Sequence, residues 1–258
     1  MRADGTLSII PLMGMPDIRA GDDISELIIK NARSHNINIL PSDILIITQK
    51  IISKSEGRMI DLRSVKPSLK AKHISRITQK NPGLIQLILK ESKEVLRVRK
   101  GLIIVRHKLG FVCANAGIDH SNTVPGEEAS HFVLLLPEDP DRSARIIQTR
   151  IEEYTGCKVG VLIIDSHGRA WRNGTVGATI GLAGVPGIVD MRGKFDLYGH
   201  KLRATLIAAA DELAAAASLA MGQADESIPC VIARGFPYPL RESNLQELIR
   251  SEKNDLFK

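Results

Sequence analysis

Hydrophobic residues along the chain follow two patterns, which predict helices and buried strands. Apolar positions recur at helical spacing, near residues that cap helices, in four segments: 21–35 with Asp22 or Asp23 as the N-cap, 81–92 with Pro82 at its start, 141–156 closed by Gly156, and 201–222. Short continuous apolar runs are typical of strands buried on both faces. Such runs lie at 43–53, where we expect a strand leading into a polar loop, at 158–165 and at 228–235.

The order of these segments predicts a mixed α/β fold. Residues 101–108 and 110–116 are apolar runs joined at Leu109-Gly110, a pattern that favours a β-hairpin over a purely doubly wound parallel sheet. We therefore expect mixed sheets flanked by helices. They form one unit of residues 1–258, with two interleaved parts whose boundary falls within residues 80–110.

Composition favours a soluble protein of a reducing compartment. The chain has 258 residues, 43% of them hydrophobic, and three cysteines without CxxC spacing, which argues against a disulfide framework and a zinc site. Its first ten residues lack the apolar core of a signal peptide. The most apolar helix, 201–222, is interrupted by Asp211 and Glu212, so its uncharged stretch is shorter than the roughly 20 residues of a membrane span. We expect a cytoplasmic protein that does not enter a membrane.

The charge of the chain indicates an anionic ligand. Its formal net charge is +6, and basic residues concentrate in 64–80 and 97–108, where solvated element faces are the alternative interpretation. Only 3% of residues are aromatic, so stacking platforms for single-stranded nucleic acid are scarce. This balance favours small phosphorylated ligands over nucleic acid.

Several common nucleotide and hydrolase motifs do not occur. The sequence contains no GxxxxGK[ST], no GxSxG and no HExxH, and its Gly-rich segment at 173–188 lacks GxGxxG spacing. The protein is therefore predicted to be neither a P-loop nor a Rossmann protein. The glycines of 173–188 are instead expected to allow close backbone packing or the approach of a ligand.

Two polar segments directly follow apolar runs and could hold divalent cations. One is NAGIDHSN at 115–122, and the other is IIDSHGR, which ends at Arg169. Mg²⁺ typically takes one or two carboxylates together with phosphate oxygens and water, and Asp119 and Asp165 could supply the carboxylates. The Ser166 hydroxyl could contribute to a second ion. The alternative is that each aspartate only caps a turn.

Other polar residues near these segments have more than one interpretation. His120 and His167 could be ligands, general bases or ordinary loop residues, and Arg169, Arg172 and Asn173 could grip an anion or form a surface charge pair. Trp171 is expected to be a packing anchor. Lys50 and Lys54 lie four residues apart after a strand, where a lysine suits a phosphate, and a polar turn occupies residues 221–229.

Taken together, the segments resemble the coenzyme F420-0:γ-glutamyl ligase family. The similarity runs from IIPLMGMPDI at 9–18 to IPCVIARG at 228–235, and it includes ISKSEGR, NAGIDHSN, VGVLIIDSHGR and DLYGHKLRATLIAAADELAAAASLAMG in the family's order. The resemblance implies a homodimeric, GTP-dependent ligase that adds L-glutamate to F420-0 through an acyl phosphate. It further implies extension through γ-glutamyl linkages, two Mg²⁺ or Mn²⁺ ions, and in some cases K⁺.

The resemblance also assigns site residues. It places the first divalent ion at Asp119 and Asp165, and the second at Ser166 and Gln223. It implies that four stretches contact GTP: Met13, Gly14, Met15 and Pro16; Gln49, Lys50 and Lys54; Asn122; and Met221, Gly222, Gln223, Ala224, Asp225, Glu226, Ser227 and Ile228. It identifies no residue as the catalytic base.

Two departures from the family pattern lie within these stretches. Family members often have Ser-Thr where this chain has Gln49-Lys50, which adds a positive charge. They often have MGEGGDGI where this chain has MGQADESI, so that Gln223 offers a neutral oxygen in place of a carboxylate. Two alternatives stay open: a relative that ligates another amino acid or acceptor, and a non-catalytic protein that binds a nucleotide or RNA.

Overall fold

The computed structural model describes residues 5–123, 126–251, 253 and 255. In these residues six α-helices are present: Ile24–Ser34 (α1), Gln49–Ser55 (α2), Leu69–Thr78 (α3), Pro82–Glu91 (α4), Pro140–Thr155 (α5) and Ala209–Met221 (α6). The strands are Ser8–Pro11 (β1), Ile44–Thr48 (β2), Met59–Asp61 (β3), Ser92–Arg99 (β4), Leu102–His107 (β5), Val112–Ala114 (β6), Phe132–Leu134 (β7), Gly160–Gly168 (β8), Thr175–Ala183 (β9), Val189–Asp190 (β10), Leu206–Ile207 (β11) and Cys230–Arg234 (β12). The predicted mixed α/β class is confirmed.

A five-stranded sheet with the order β1-β12-β2-β8-β9 forms the centre of the molecule. Only β2 and β8 pair in parallel, whereas the other neighbours are antiparallel. Successive side chains of a strand point to opposite faces, so Leu45 and Ile47 join a core with α1 and α5, while Ile44 and Ile46 join a core with α6. The continuous apolar run therefore reflects burial of both faces of the sheet.

A third core lies between residues 62 and 135, around α3, α4 and the three-stranded sheet β4-β5-β6. The predicted hairpin at Leu109-Gly110 is confirmed as the antiparallel pair β5 and β6. Strands β3 and β7 pair where the chain enters and leaves this region. The division into two parts with a boundary at 80–110 stays a prediction.

Local signals located the helix ends. The Asp23 carboxylate accepts hydrogen bonds from two backbone N–H groups at the start of α1, and Pro82 occupies the first turn of α4. Gly156 ends α5 with a φ of 69°, a left-handed conformation that glycine adopts without strain.

Three boundaries differ from the predictions. Residues 49–55 form α2, whereas 49–53 were predicted to continue the strand and a polar loop was expected to follow; Ile51 and Ile52 are buried on the helix. Helix α6 begins only at Ala209, because Leu206 and Ile207 pair with β10. Strand β8 continues through Gly168, since its pairing with β9 extends that far.

Glycines of β9 bring α5 and α6 close to the sheet. A Cβ atom at Gly177 would lie 2.8 Å from the Cβ atom of Ser218 in α6, and one at Gly181 would lie 2.7 Å from the carbonyl oxygen of Pro140 in α5. The predicted role of this Gly-rich segment in close packing is thus confirmed. The packing role predicted for Trp171 is wrong within this chain, since its side chain is 89% exposed in the β8–β9 connection.

No helix among the described residues combines the length and the apolar composition needed to cross a membrane.

Candidate functional site

A cavity of about 490 Å³ opens at one edge of the central sheet. Because β2 and β8 are parallel, their C-terminal ends meet there, with Thr48 in register with Ile164. Strand β12 begins at the same edge because it runs antiparallel to β2, and β1 ends there for the same reason. The residues next to these ends of β1, β2, β8 and β12 therefore surround the same cavity.

Fifteen of the residues assigned by resemblance line this cavity. They are Met15, Pro16, Gln49, Lys50, Lys54, Asn122, Asp165, Ser166, Met221, Gly222, Gln223, Ala224, Glu226, Ser227 and Ile228. The topology of the sheet thus brings together segments that are far apart in sequence.

Four assigned residues, all described by the structure, lie outside the lining: Met13, Gly14, Asp119 and Asp225. The carbonyl oxygen of Met13 accepts a hydrogen bond from Asn31 Nδ2 at 2.8 Å, which fixes this turn to α1. Asp119 lies one contact away from the cavity, through Lys50.

Lys50 and Asp119 form an ion pair at the wall of the cavity. Lys50 Nζ lies 2.9 Å from Asp119 Oδ2 and donates a hydrogen bond of 2.7 Å to Ser121 Oγ. Asp119 Oδ1 accepts hydrogen bonds of 2.8 Å from both the backbone N–H and the hydroxyl of Ser121. Burial alone would raise the pKa of Asp119, but the hydrogen bonds from Lys50 and Ser121 outweigh it and lower that pKa. Asp119 is therefore a carboxylate with its charge already neutralised.

Ser166 and Gln223 meet across the cavity. Ser166 Oγ donates a hydrogen bond of 2.8 Å to Gln223 Oε1, although the two residues are 57 positions apart. The neighbouring Asp165 has a carboxylate oxygen 3.0 Å from Nε2 of His167, and only 13% of its side chain is exposed. These three residues place a carboxylate, a hydroxyl and an amide oxygen on one side of the cavity.

The turn that follows α6 covers another side of the cavity. Gly222 has a φ of 75°, and Glu226 accepts a hydrogen bond of 2.8 Å from the backbone N–H of Ala224. That bond lowers the pKa of Glu226. Asn122 Nδ2 donates to the carbonyl oxygen of Ala224 at 3.4 Å, so the turn is tied to the NAGIDHSN segment.

Lys54 forms the basic side of the cavity together with a carboxylate that sequence reasoning missed. Lys54 Nζ lies 3.0 Å from Asp17 Oδ1, and this hydrogen bond lowers the pKa of Asp17. Only 14% of the Lys54 side chain is exposed, against 78% for Asp17. Asp17 directly follows Pro16, so its place in the segment IIPLMGMPDI was the available signal.

Seven further lining residues were not assigned from the sequence: Ile18, Thr48, Ile51, Thr123, Ile164, Ser218 and Pro229. Thr48 and Ile164 are paired residues of β2 and β8 at the cavity edge, and both lie within strands that the sequence predicted. Ser218 lies in α6, and the Ala-rich pattern of this helix carries no signal for a site.

The remaining candidates lie away from the cavity lining. His120 has a lowered pKa, mainly because it is partly buried, and it lies outside the lining, as does His167. Arg169, Arg172 and Asn173 are exposed in the β8–β9 connection, where Arg169 donates to the carbonyl oxygen of Asn173 at 3.2 Å. The structure does not bring these three residues to the site.

Comparison with known proteins finds one family. A family model described as F420-0:Gamma-glutamyl ligase matches residues 13–235. A coenzyme F420:L-glutamate ligase of Methanothermobacter thermautotrophicus is 45% identical over 254 residues, covering 98% of this chain and 99% of the relative. Proteins of the same name are 43% identical in Methanopyrus kandleri, covering 98% of each chain, and 41% identical in Archaeoglobus fulgidus, covering 98% of this chain and 96% of the relative.

Proposed function

Because the chain belongs to the F420-0:gamma-glutamyl ligase family, as its motifs predicted, it is a ligase of coenzyme F420 biosynthesis, and we propose that it uses GTP to join L-glutamate to F420-0. The observation that supports GTP is the cavity itself. The cavity combines the basic side chains of Lys50 and Lys54 with the turn at 222–228. It also includes the carboxylate of Asp165, which follows the buried part of β8.

The chemistry of amide formation supports the use of a nucleotide triphosphate. A free carboxylate is a poor acylating agent because its leaving group would be oxide or hydroxide. Transfer of the γ-phosphoryl group of GTP to the carboxylate of F420-0 gives an acyl phosphate and GDP. The amine of glutamate then attacks the acyl carbon, and inorganic phosphate leaves. Repetition at the γ-carboxylate of the added glutamate extends the chain.

The residues of the cavity suit charge stabilisation rather than covalent catalysis. Neither step requires an enzyme nucleophile, so positioning and neutralisation of the phosphates are the main requirements. We assign Lys54 to the phosphates because its partner Asp17 is an exposed carboxylate that a phosphate can replace. The turn at 222–228 and the residues from Met15 to Pro16 would hold the remainder of the nucleotide.

A divalent cation, Mg²⁺ or Mn²⁺, fits the side of the cavity formed by Asp165, Ser166 and Gln223. Hard cations take oxygen ligands, and these three lining residues offer a carboxylate, a hydroxyl and an amide oxygen, of which the Ser166 hydroxyl and the Gln223 amide oxygen are in direct contact. When bound, such an ion would offset negative charge on the phosphates. K⁺ is a further proposed ion without residues assigned to it. Within the described residues no group of three or more His, Cys, Asp or Glu side chains is arranged around a metal position, so phosphate oxygens and water would complete the coordination.

Asp119 does not fit a divalent cation in the same way. Both of its oxygens already accept hydrogen bonds, one from Ser121 and the other from the ammonium group of Lys50. The metal role that the resemblance implied for Asp119 is therefore not part of this proposal.

We also propose that the protein is a cytoplasmic homodimer. The chain between β10 and β11 exposes large apolar side chains, with Leu197 97% and Tyr198 86% exposed, which is a feature of association surfaces. Light scattering tests the proposed homodimer, since a monomeric mass at micromolar protein concentration would contradict it.

The test of the function is incubation with F420-0, L-glutamate, GTP and Mg²⁺ or Mn²⁺, followed by mass spectrometry. We expect products heavier by one or more glutamyl units, with one GDP released per unit. Parallel reactions with ATP, with other amino acids and with other carboxylate acceptors distinguish a relative of altered specificity. Nucleotide binding without any ligated product in all reactions would contradict the proposed reaction.

A further inference from the structure

The ammonium group of Lys50 occupies a position that a cation would take at Asp119. It lies 2.9 Å from Asp119 Oδ2, and its other contact is the hydroxyl of Ser121 at 2.7 Å. Two oxygen ligands, one of them a carboxylate, are what a hard cation selects from a protein. The ammonium group of Lys50 thus supplies the positive charge that a bound metal ion would otherwise supply to Asp119.

The position of Lys50 is fixed by its buried neighbours in α2. Lys50 lies in the first turn of α2, between Gln49 and Ile51, which are 1% and 7% exposed. Gln49 Oε1 also accepts a hydrogen bond of 2.9 Å from Ser53 Oγ one turn later. Only 29% of the Lys50 side chain is exposed, so this lysine is not a freely moving surface residue.

Asp119 is equally constrained. The backbone N–H of Asp119 donates to the carbonyl oxygen of Leu134 at 3.0 Å, and its own carbonyl oxygen accepts from Leu134 at 2.8 Å. Its Oδ1 atom is fixed by two hydrogen bonds from Ser121. The only oxygen left for a cation is Oδ2, which faces Lys50.

A divalent ion and an ammonium group cannot share that oxygen at low cost. Like charges within about 4 Å repel strongly at a partly buried site, where water screens them incompletely. Asp119 has one negative charge, which Lys50 already balances. A divalent ion at Asp119 would therefore require Lys50 to leave both of its partners.

We propose that Lys50 takes the place of a divalent cation at Asp119, so that ions accompanying the nucleotide bind only on the side of Asp165, Ser166 and Gln223. This inference rests on the proposed function for the identity of the nucleotide but not for the competition at Asp119. Its consequence is an ion pair without net charge at this wall of the cavity, independent of the metal concentration.

The test counts bound Mn²⁺ by electron paramagnetic resonance of the free ion. Wild type, Asp119→Asn, Lys50→Met and the double variant are each titrated with Mn²⁺, first alone and then with GDP. We expect wild type and Asp119→Asn to bind the same number of ions. Lys50→Met should bind one more ion, and the double variant should lose it again. Lys50→Arg, which keeps the positive charge, should bind as many ions as wild type.

A matched control is Lys30→Met. Lys30 forms an exposed ion pair with Glu26 at 2.6 Å on α1, so this variant also removes one lysine from a carboxylate. It should not gain an ion, because neither residue lines the cavity. Melting curves of all variants establish that they are folded.

Two results would overturn the inference. One is an ion in wild type that Asp119→Asn removes, since Asp119 would then bind metal in the presence of Lys50. This comparison leaves Lys50 unchanged and decides the question even where Lys50→Met does not fold. The other is an equal count in wild type and Lys50→Met. Binding of a fluorescent GDP is measured separately. A failure of nucleotide binding would contradict the proposed use of GTP. The ion counts with Mn²⁺ alone would still decide the role of Lys50.

Discussion

The substitution Gly177→Ala tests how the sheet positions α6 at the cavity. Gly177 is paired with Ser166 across β8 and β9, and its N–H donates to Ser218 Oγ at 3.2 Å. A Cβ atom at this position would lie 2.8 Å from Ser218 Cβ and closer still to the carbonyl oxygen of Ala214. Ordinary contacts between carbon atoms are about 3.5–4.0 Å long, so α6 would have to withdraw by about 1 Å.

The expected size of the effect follows from two opposing contributions. Overpacking of a tight contact costs about 1–3 kcal/mol. The lower conformational entropy of alanine in the unfolded chain offsets about 0.4–1 kcal/mol of that cost. The φ angle of Gly177 is not positive, so backbone strain does not contribute. We expect a net loss of about 1–2 kcal/mol, which corresponds to a melting temperature lower by about 2–8 °C.

The assay is thermal unfolding together with GDP binding, and the matched control is Gly168→Ala. Gly168 lies in the same pair of strands, has no positive φ, and has no atom within 4 Å of an added Cβ. The control should be as stable as wild type or slightly more stable. Gly177→Ala should also weaken GDP binding, because Ser218 and Met221 of α6 line the cavity. Equal melting temperatures for the two variants would refute the steric argument.

Three further predictions concern the site and its surroundings. Lys54→Ala should weaken GTP binding by about 10- to 100-fold, the value of a charge-assisted contact, and unchanged affinity in calorimetry would remove Lys54 from the site. Asp165→Asn should lower metal-dependent ligation at least about 100-fold with an unchanged melting temperature, and ligation at the wild-type rate would exclude Asp165 as a ligand. Burial, with a smaller contribution from Lys108, lowers the pKa of His107 from 6.5 to about 4, so the unfolded chain binds more protons than the folded one between these pH values. Stability should therefore fall by about 1–2 kcal/mol from pH 7 to pH 5, and His107→Phe, which keeps the stacking with Phe111, should make denaturant unfolding less dependent on pH in this range.

The parts of the fold that the sequence predicted are those with local causes. Caps such as Asp23 and Gly156 act on residues within one turn, so their chemistry marks the helix ends directly. Helix α2 was missed because the Thr48 side chain makes no capping hydrogen bond and because Ile51 and Ile52 follow the apolar run of β2 after only three polar residues, so that they were read as part of the strand. The pattern of a short apolar run does not separate strand from helix.

The site was predictable as a set of segments but not as a set of contacts. Sequence order placed Ser166 and Gln223 in different segments, and they meet because β8 pairs with β9 and α6 packs against β9. The ion pair of Lys50 with Asp119 joins residues whose separation follows no local period. Such contacts depend on strand order, which side-chain patterns do not specify.

The strand order has a consequence for the time at which the site can form. Strand β12, at residues 230–234, lies between β1 and β2, and among the described strands it is the only hydrogen-bonded neighbour of β1. A growing chain therefore has no sheet position for β1 until most of the protein has been synthesised. The turn at 222–228, which precedes β12, also joins the cavity late. Non-local pairing of this kind slows folding, and a nascent chain released before residue 230 would contain every lysine and aspartate of the site without the strand that assembles them.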